Sequence, residues 1–423
     1  MTQDAWVFSG NDRLSLADVD HFEPPARLTP SEDFDTALAC AFDTPVASAS
    51  LRTLAGDCKT VAIAIPDASR PCPSARLLPP LLGRLNAAGV ADEAITVLIG
   101  CGLHRATDDA EKRRLVGDVI DRVTVSDAQA QTQESIDLGQ TTSGIPVYLN
   151  RLVANADLAI TVGVVEPHLY AGFSGGVKGV AIGCAGHQTI AATHHPAFIS
   201  QPGVDLGSLR GNPFQVALNE IAARSDLGFA INIVAGHEDE PAAIACGDPA
   251  AVQATLAAAH RAAWFRPVPG RFDVIVAGVP APKSESLYQA SRAATYLGLA
   301  AQPALEDDGL ILLACDMPSN AGDGPGELNF AALVAGARPD EILSRGLREP
   351  LGPGGQRAFV VARVLQRYRV GVLGAGNPAF LEALGISAYA TLDEALDEST
   401  RRLGRRPRVL AVADAITTIV HAS

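Results

Sequence analysis

Continuous apolar runs of strand length recur along the chain, separated by stretches with helical spacing. The first run is residues 60–66 (TVAIAIP); a helix-like stretch at 75–88 follows and is stopped by Gly89, and a second run lies at 94–100 (AITVLIG). Further strands are predicted at 158–165, 228–234, 272–277, 310–314, 370–373 and 409–413. Helices are predicted at 213–224, 250–264, 285–299, 353–367 and 392–403. Unbroken apolar runs mark strands covered on both faces, and their alternation with helices marks parallel βαβ units. The expected fold is α/β, with two domains, each a mostly parallel or mixed sheet flanked by helices. The segment Phe265-Arg266-Pro267-Val268-Pro269-Gly270 places two prolines and a glycine between a helix and a new strand, which sets the boundary. The expected domains are therefore residues 1–266 and 267–423. The first fifty residues have weak periodicity and predict no element.

Length supports the division, since 423 residues exceed one ordinary core. The formal charge of −14 repels phosphate backbones and argues against nucleic-acid binding. Seven scattered cysteines, an odd number, read as reduced thiols rather than a disulfide framework. No apolar run is long enough to span a membrane, and the polar start MTQDAWVFSGNDRL lacks signal-peptide character. The expectation is a cytoplasmic α/β protein that handles a small molecule.

Three predicted strands end in polar segments, and strands of α/β proteins point their carboxyl ends at the ligand crevice. Residues 60–66 lead into Asp67-Ala68-Ser69-Arg70-Pro71, and 94–100 into Cys101-Gly102-Leu103-His104-Arg105. The strand at 158–165 leads into Glu166-Pro167-His168 and then the glycine-rich stretch ending at Lys178-Gly179. Taken alone, Asp67 and Arg70 read equally as a loop-capping ion pair, His104 as a solvent-facing histidine, and the glycines as turns. Their co-occurrence at strand ends favours chemistry. Gly175-Gly176-Val177-Lys178 has the character of a phosphate cradle, with backbone N–H groups able to approach an anion and a lysine adding charge. It is not a Walker A loop. Gly374-Ala375-Gly376-Asn377-Pro378 resembles a dinucleotide turn superficially, but the proline favours an ordinary helix start.

The segment from His168 to His194 (HLYAGFSGGVKGVAIGCAGHQTIAATH) resembles the nickel-pincer-nucleotide lactate racemase family. The matching positions are Pro167-His168, residues 172–178, Gly183, Thr189-Ile190 and His194. The resemblance extends upstream to Asp67-Ala68-Ser69-Arg70-Pro71 and Gly102-Leu103-His104-Arg105, and downstream to Tyr288-Gln289. It implies a racemase or epimerase of a 2-hydroxy acid that inverts C2 by reversible hydride transfer, through a 2-keto acid, with the active site in an interdomain cleft. The implied cofactor is the nickel complex of pyridinium-3,5-bisthiocarboxylic acid mononucleotide, attached to Lys178. Gly175, Gly176 and Asp67 are implied near this cofactor, and His194 as the nickel ligand in preference to the adjacent His195. His104 and His168 are implied as the acid–base pair, and Arg70, Tyr288, Gln289 and Arg292 as substrate-binding residues. Arg292 replaces the lysine of the lactate racemase, and residues 315–320 also depart from the expected pattern, so the resemblance implies a 2-hydroxy acid without fixing it as lactate. Cofactor-synthesis enzymes are the implied partners. His21, His187, His237, His260 and His421 receive no role.

Competing readings use the same residues. His104, His168 and His194 would suit a zinc hydrolase or lyase with a three-histidine site. A nicotinamide-dependent dehydrogenase would use residues 374–378. A silent binding protein would have no need of the lysine together with three histidines.

Overall fold

The computed structural model describes residues 5–26, 28–30, 32–236 and 240–423; His237 lies outside them. The chain forms two compact units, one of Arg27–His194 with Phe198–Arg261, the other of Met1–Ala26, His195–Ala197 and Ala262–Ser423.

The first unit is built on a six-stranded sheet. Its strands are β1 (Val61–Pro66), β2 (Ile95–Gly102), β3 (Thr124–Gln129), β4 (Leu158–Val164), β5 (Leu227–Ala235) and β6 (Pro241–Gly247). Their spatial order is β6-β5-β4-β1-β2-β3. All neighbours are parallel except β5 and β6. In β1 the apolar run is buried on both faces from Val61 to Ile65, as a strand covered by helices requires. The covering includes α1 (Ser74–Ala87), whose Leu77, Leu78, Leu81, Leu82 and Leu85 are completely buried. Three- and four-residue spacing puts these leucines on one stripe. Each contributes about 1.5–3 kcal/mol by leaving water. They pack with Ile63, Ile65, Val97, Ile99, Ile160 and Val162 into one core.

Strand order decides where a site can form. From β1 the chain moves outward to β2 and β3, then returns to place β4 and β5 on the other side of β1. The order therefore reverses between β1 and β4, and the loops at their carboxyl ends part there. Open α/β sheets bind ligands at such a reversal.

The second unit holds an eight-stranded sheet around the strand Phe272–Pro280. Leu305–Ala314, Arg369–Leu373 and Ser387–Tyr389 follow on one side, and Val409–Val412 pairs on the other, all in parallel. The expected extent of the N-terminal domain needs correction here. Ala5–Gly10 and Asp12–Leu16 form a hairpin whose first strand joins Phe272–Pro280, and His21–Glu23 pairs with Val409–Val412. The start of the chain thus belongs with its end. The segment 265–270 is not a linker either. Phe265–Val268 pairs in parallel with Ile419–Ala422, and the units divide slightly earlier, at Arg261 and Ala262.

Gly374-Ala375-Gly376-Asn377-Pro378 is an ordinary helix start. Asn377 caps the short helix Pro378–Ala383 through a side-chain bond from the Phe380 amide, with proline in the first turn.

Candidate active site

The loops after β1, β2 and β4 carry the polar residues singled out in the sequence. Asp67 follows directly on β1, and its carboxylate oxygen Oδ2 lies 2.6 Å from His104 Nδ1. Its other oxygen accepts from the hydroxyl of Ser69 at 2.6 Å and from the Ser69 amide at 3.2 Å. Asp67 is only 13% exposed while His104 is 65% exposed, so a sheltered carboxylate holds an imidazole that reaches outward. Burial opposes ionisation of Asp67, but the bonds from His104 and Ser69 outweigh it and hold the carboxyl below its usual range.

Arg70 pairs with Glu166, the residue that follows the last apolar position after β4, and both are half-buried. Arg70, which the resemblance implies for substrate binding, thus also faces a carboxylate of the chain itself. Glu166 carried a visible signal, an acid at the end of a buried strand, but its pairing with Arg70 spans 96 residues and has none.

His168 lies in a very short hairpin, where Pro167 and His168 pair with Phe173 and Gly172. Its Nδ1 accepts from the backbone amides of Tyr170 at 3.3 Å and Ala171 at 3.2 Å. Gly172 is obligatory in this hairpin. It has φ +78°, and a Cβ there would lie 2.0 Å from the Ser208 carbonyl oxygen.

The glycine-rich loop is fastened from below by two buried amides. Asn232, in the middle of β5, accepts from the Gly176 amide at 2.6 Å. Gln253 donates to the carbonyls of Phe173 and Ser174, each at 3.1 Å. The Gly176 N–H is thus taken by Asn232. The glycines at 175 and 176 have positive φ and bring the backbone against Asn232, Val165 and Gln253, where a Cβ would approach within 3 Å. Neither Asn232 nor Gln253 was selected from the sequence, although a lone asparagine inside LGFAINIVA is a legible signal.

Lys178 ends the loop and precedes a π-helical turn, Gly179–Gly183. Such turns are frequent at functional sites. His194 caps the helix α2 (His187–Thr193). Its ring meets Tyr170 and Phe214 edge-on at centroid distances of 5.8 and 5.4 Å. Burial, with the nearby Lys178 charge as the second cause, pushes its pKa down to about 4. His194 is therefore neutral at ordinary pH, the form that binds metals. Its Nδ1 faces the Ile190 carbonyl at 3.1 Å, which leaves Nε2 to hold a ligand. His195 belongs to the other unit, where its Nδ1 accepts from the Ala197 amide.

A three-histidine zinc site is not formed. Among the described residues, no group of three or more His, Cys, Asp or Glu is arranged to hold a metal ion. One imidazole beside one lysine fits a metal that arrives with its other ligands already attached.

In the second unit, Tyr288, Gln289 and Arg292 share a face of the helix Leu287–Gly298. The Arg357 guanidinium stands 5.5 Å from the Tyr288 ring centre, and Lys283 Nζ lies 3.4 Å from Gln289 Oε1.

Residues 13–207 match the lactate racemase N-terminal domain family. The chain is 29% identical over 400 residues to the lactate racemase of Lactiplantibacillus plantarum, covering 90% of this chain and 89% of that protein. The chain is similar to lactate racemases over nine-tenths of its length, and that similarity marks it as an isomerase. The lactate racemase of Thermoanaerobacterium thermosaccharolyticum is 27% identical over 404 residues, again covering 90% and 89%. The fold agrees with that of the lactate racemase apoprotein from the same organism, with a TM-score of 0.89, 22% identity, and coverage of 99% of this chain and 100% of that one. A crystal structure of a protein from Thermotoga maritima shares the fold more loosely, with a TM-score of 0.67, 16% identity, and coverage of 88% and 97%.

Proposed function

We propose that this protein racemises or epimerises a 2-hydroxy acid at C2 through a 2-keto acid. The observation that carries the reading is the grouping at one sheet reversal of Asp67-bound His104, amide-bound His168, and Lys178 beside a neutral His194, in a chain similar to lactate racemases over nine-tenths of its length.

The C2–H bond is not acidic enough for easy removal as a proton, and no ordinary side chain accepts a hydride. A nickel-pincer nucleotide, when bound, supplies the hydride acceptor. Lys178 would tether it covalently, and His194 Nε2 would complete the coordination of its nickel. His104 and His168 handle the hydroxyl proton and the substrate oxygen. Asp67 holds the His104 ring in place and stabilises it when protonated. Arg70, Tyr288, Gln289 and Arg292 are the proposed substrate-binding residues, on the strength of the resemblance. The proposed setting is the cytoplasm, with the cofactor-making enzymes as partners; among the described residues, no helix is long and apolar enough to cross a membrane.

The test is intact mass and peptide mapping after co-expression with cofactor-synthesis enzymes. Wild type should gain a mass increment on the peptide containing Lys178, and Lys178→Ala should lack it. An increment that survives in Lys178→Ala would overturn the tether.

A further inference from the structure

The helix His187–Thr193 has seven residues, and so short a helix needs anchors outside itself to keep its place. It finds them on the strand Pro146–Asn150. The Gly186 amide donates to the Tyr148 carbonyl at 2.7 Å, and the Asn150 amide to the Cys184 carbonyl at 2.8 Å. The Thr189 hydroxyl adds a side-chain anchor to the same strand. It accepts from the Tyr148 amide at 2.7 Å and donates to the Pro146 carbonyl at 2.8 Å. One turn later, the Thr193 hydroxyl donates back to the Thr189 and Ile190 carbonyls, at 2.9 and 3.0 Å. The Thr193 oxygen also lies 3.0 Å from His194 Nδ1. A hydroxyl has one hydrogen and carbonyls only accept, so this oxygen meets His194 with a lone pair. Nδ1 therefore carries the hydrogen, held between Thr193 and the Ile190 carbonyl at 3.1 Å, and Nε2 keeps its lone pair. Both threonines are 0% exposed. Burying a hydroxyl is unfavourable unless it is bonded, and valine would fill the same space without that penalty. Packing alone does not call for threonine at either position.

We propose that Thr189 and Thr193 are positioning residues for the His194 ring, a relay of hydroxyls running from the strand Pro146–Asn150 to Nδ1. This rests on the racemase reading above and deepens it. When one ring nitrogen ligates a metal, a partner on the other N–H fixes the tautomer and ring direction and makes the ligating nitrogen a better donor. Thr193 supplies that partner together with the Ile190 carbonyl. Thr189 holds the turn that carries them against the strand. Lys178 has a different support, since its loop is fastened by Asn232 and Gln253. The covalent tether and the nickel ligand are thus positioned separately. Loss of the threonine relay should loosen the hold on nickel and leave the bond to Lys178 intact.

The experiment compares wild type with Thr189→Val, Thr189→Ser, Thr193→Val and Thr193→Ser, each co-expressed with cofactor-synthesis enzymes. Two quantities are read: the mass increment on the Lys178 peptide, and the nickel content during a challenge with EDTA. All five proteins should carry the increment. Both valine variants should lose nickel roughly tenfold or more faster than wild type, and both serine variants should hold it as wild type does. A merely structural role would lower the unfolding midpoint without separating nickel from the increment. Nickel retention unchanged in the valine variants, or not restored by serine, would overturn the proposal. A second measurement needs no variant to fold like wild type. Imidazole nitrogen NMR on the cofactor-free full chain labelled with 15N-histidine, with His194 assigned by signal loss in His194→Gln, should show hydrogen on Nδ1 and a bare Nε2. The opposite tautomer would also overturn it. A wild type that gains no increment on Lys178 sinks the cofactor reading itself, whereas an increment with nickel retention indifferent to the threonines sinks only the relay.

Discussion

Asp67 is held ionised by hydrogen bonds from His104 and Ser69 within a largely buried site. A carboxyl depressed in the folded state stabilises the fold above its unfolded value, roughly pH 4, and that contribution is lost as pH falls through the folded value. Asp67→Asn removes it. The stability gap between wild type and variant should be largest above about pH 5 and shrink towards about pH 3, as followed by urea unfolding across that range. Arg292 stands where the family resemblance expects lysine, and arginine grips a carboxylate with a planar fork. Arg292→Ala should lower kcat/KM for 2-hydroxy acids by roughly ten- to a hundredfold, corresponding to about 1.5–3 kcal/mol. Matching neutral amides provide the control: turnover of amides equal to that of acids, or no effect of the substitution, would remove Arg292 from carboxylate binding.

The glycine-rich loop acts as an element because two buried side chains anchor it to β5 and to the helix Pro249–Trp264. Asn232→Ala would leave the Gly176 amide without its acceptor, at a cost of about 1–3 kcal/mol for a buried polar group. The expected outcome is a lower unfolding midpoint together with reduced mass increment on Lys178, because the lysine would no longer be presented in a fixed position. Gly172→Ala is a harsher test of the neighbouring hairpin. Its Cβ would overlap the Ser208 carbonyl oxygen at a positive φ, so a loss of about 2–4 kcal/mol is expected in equilibrium unfolding. At this scale the sequence was most legible in the strands. β1, β2, β4 and β5 appear within a few residues of their predicted spans, because burial on both faces writes a continuous apolar run. The candidate loops were legible for the same reason, each lying where such a run ends. What the loops touch was not legible. The partners of Arg70 and Gly176 lie 96 and 56 positions away, and no local pattern encodes such distances.

For the whole molecule, the missed feature is the membership of residues 5–26 in the C-terminal unit. Asp12–Leu16 is exposed along nearly its whole length, so it lacks the apolar signature that marked the other strands. His21–Glu23 is three residues long and acquires strand character only beside Val409–Val412. A chain shortened to begin at residue 27 should lose the pairing partners of Phe272–Pro280 and Val409–Val412. Its C-terminal unit should unfold at lower urea than in the full chain, while the unit containing Lys178 keeps its own transition. Loss of both transitions together would show that the units are not independent.

That same arrangement bears on how the protein is made. The segment at residues 5–26 is made well before its partners, since the strand that pairs with His21–Glu23 emerges only some 390 residues later. At about 5–20 residues per second, the wait is roughly 20–80 s. Ala5–Gly10 has only Asp12–Leu16 to pair with until the strand Phe272–Pro280 is made, and by then everything needed for the Lys178-bearing unit has emerged. The unit at residues 27–261 is thus free to fold as an insertion inside an unfinished neighbour.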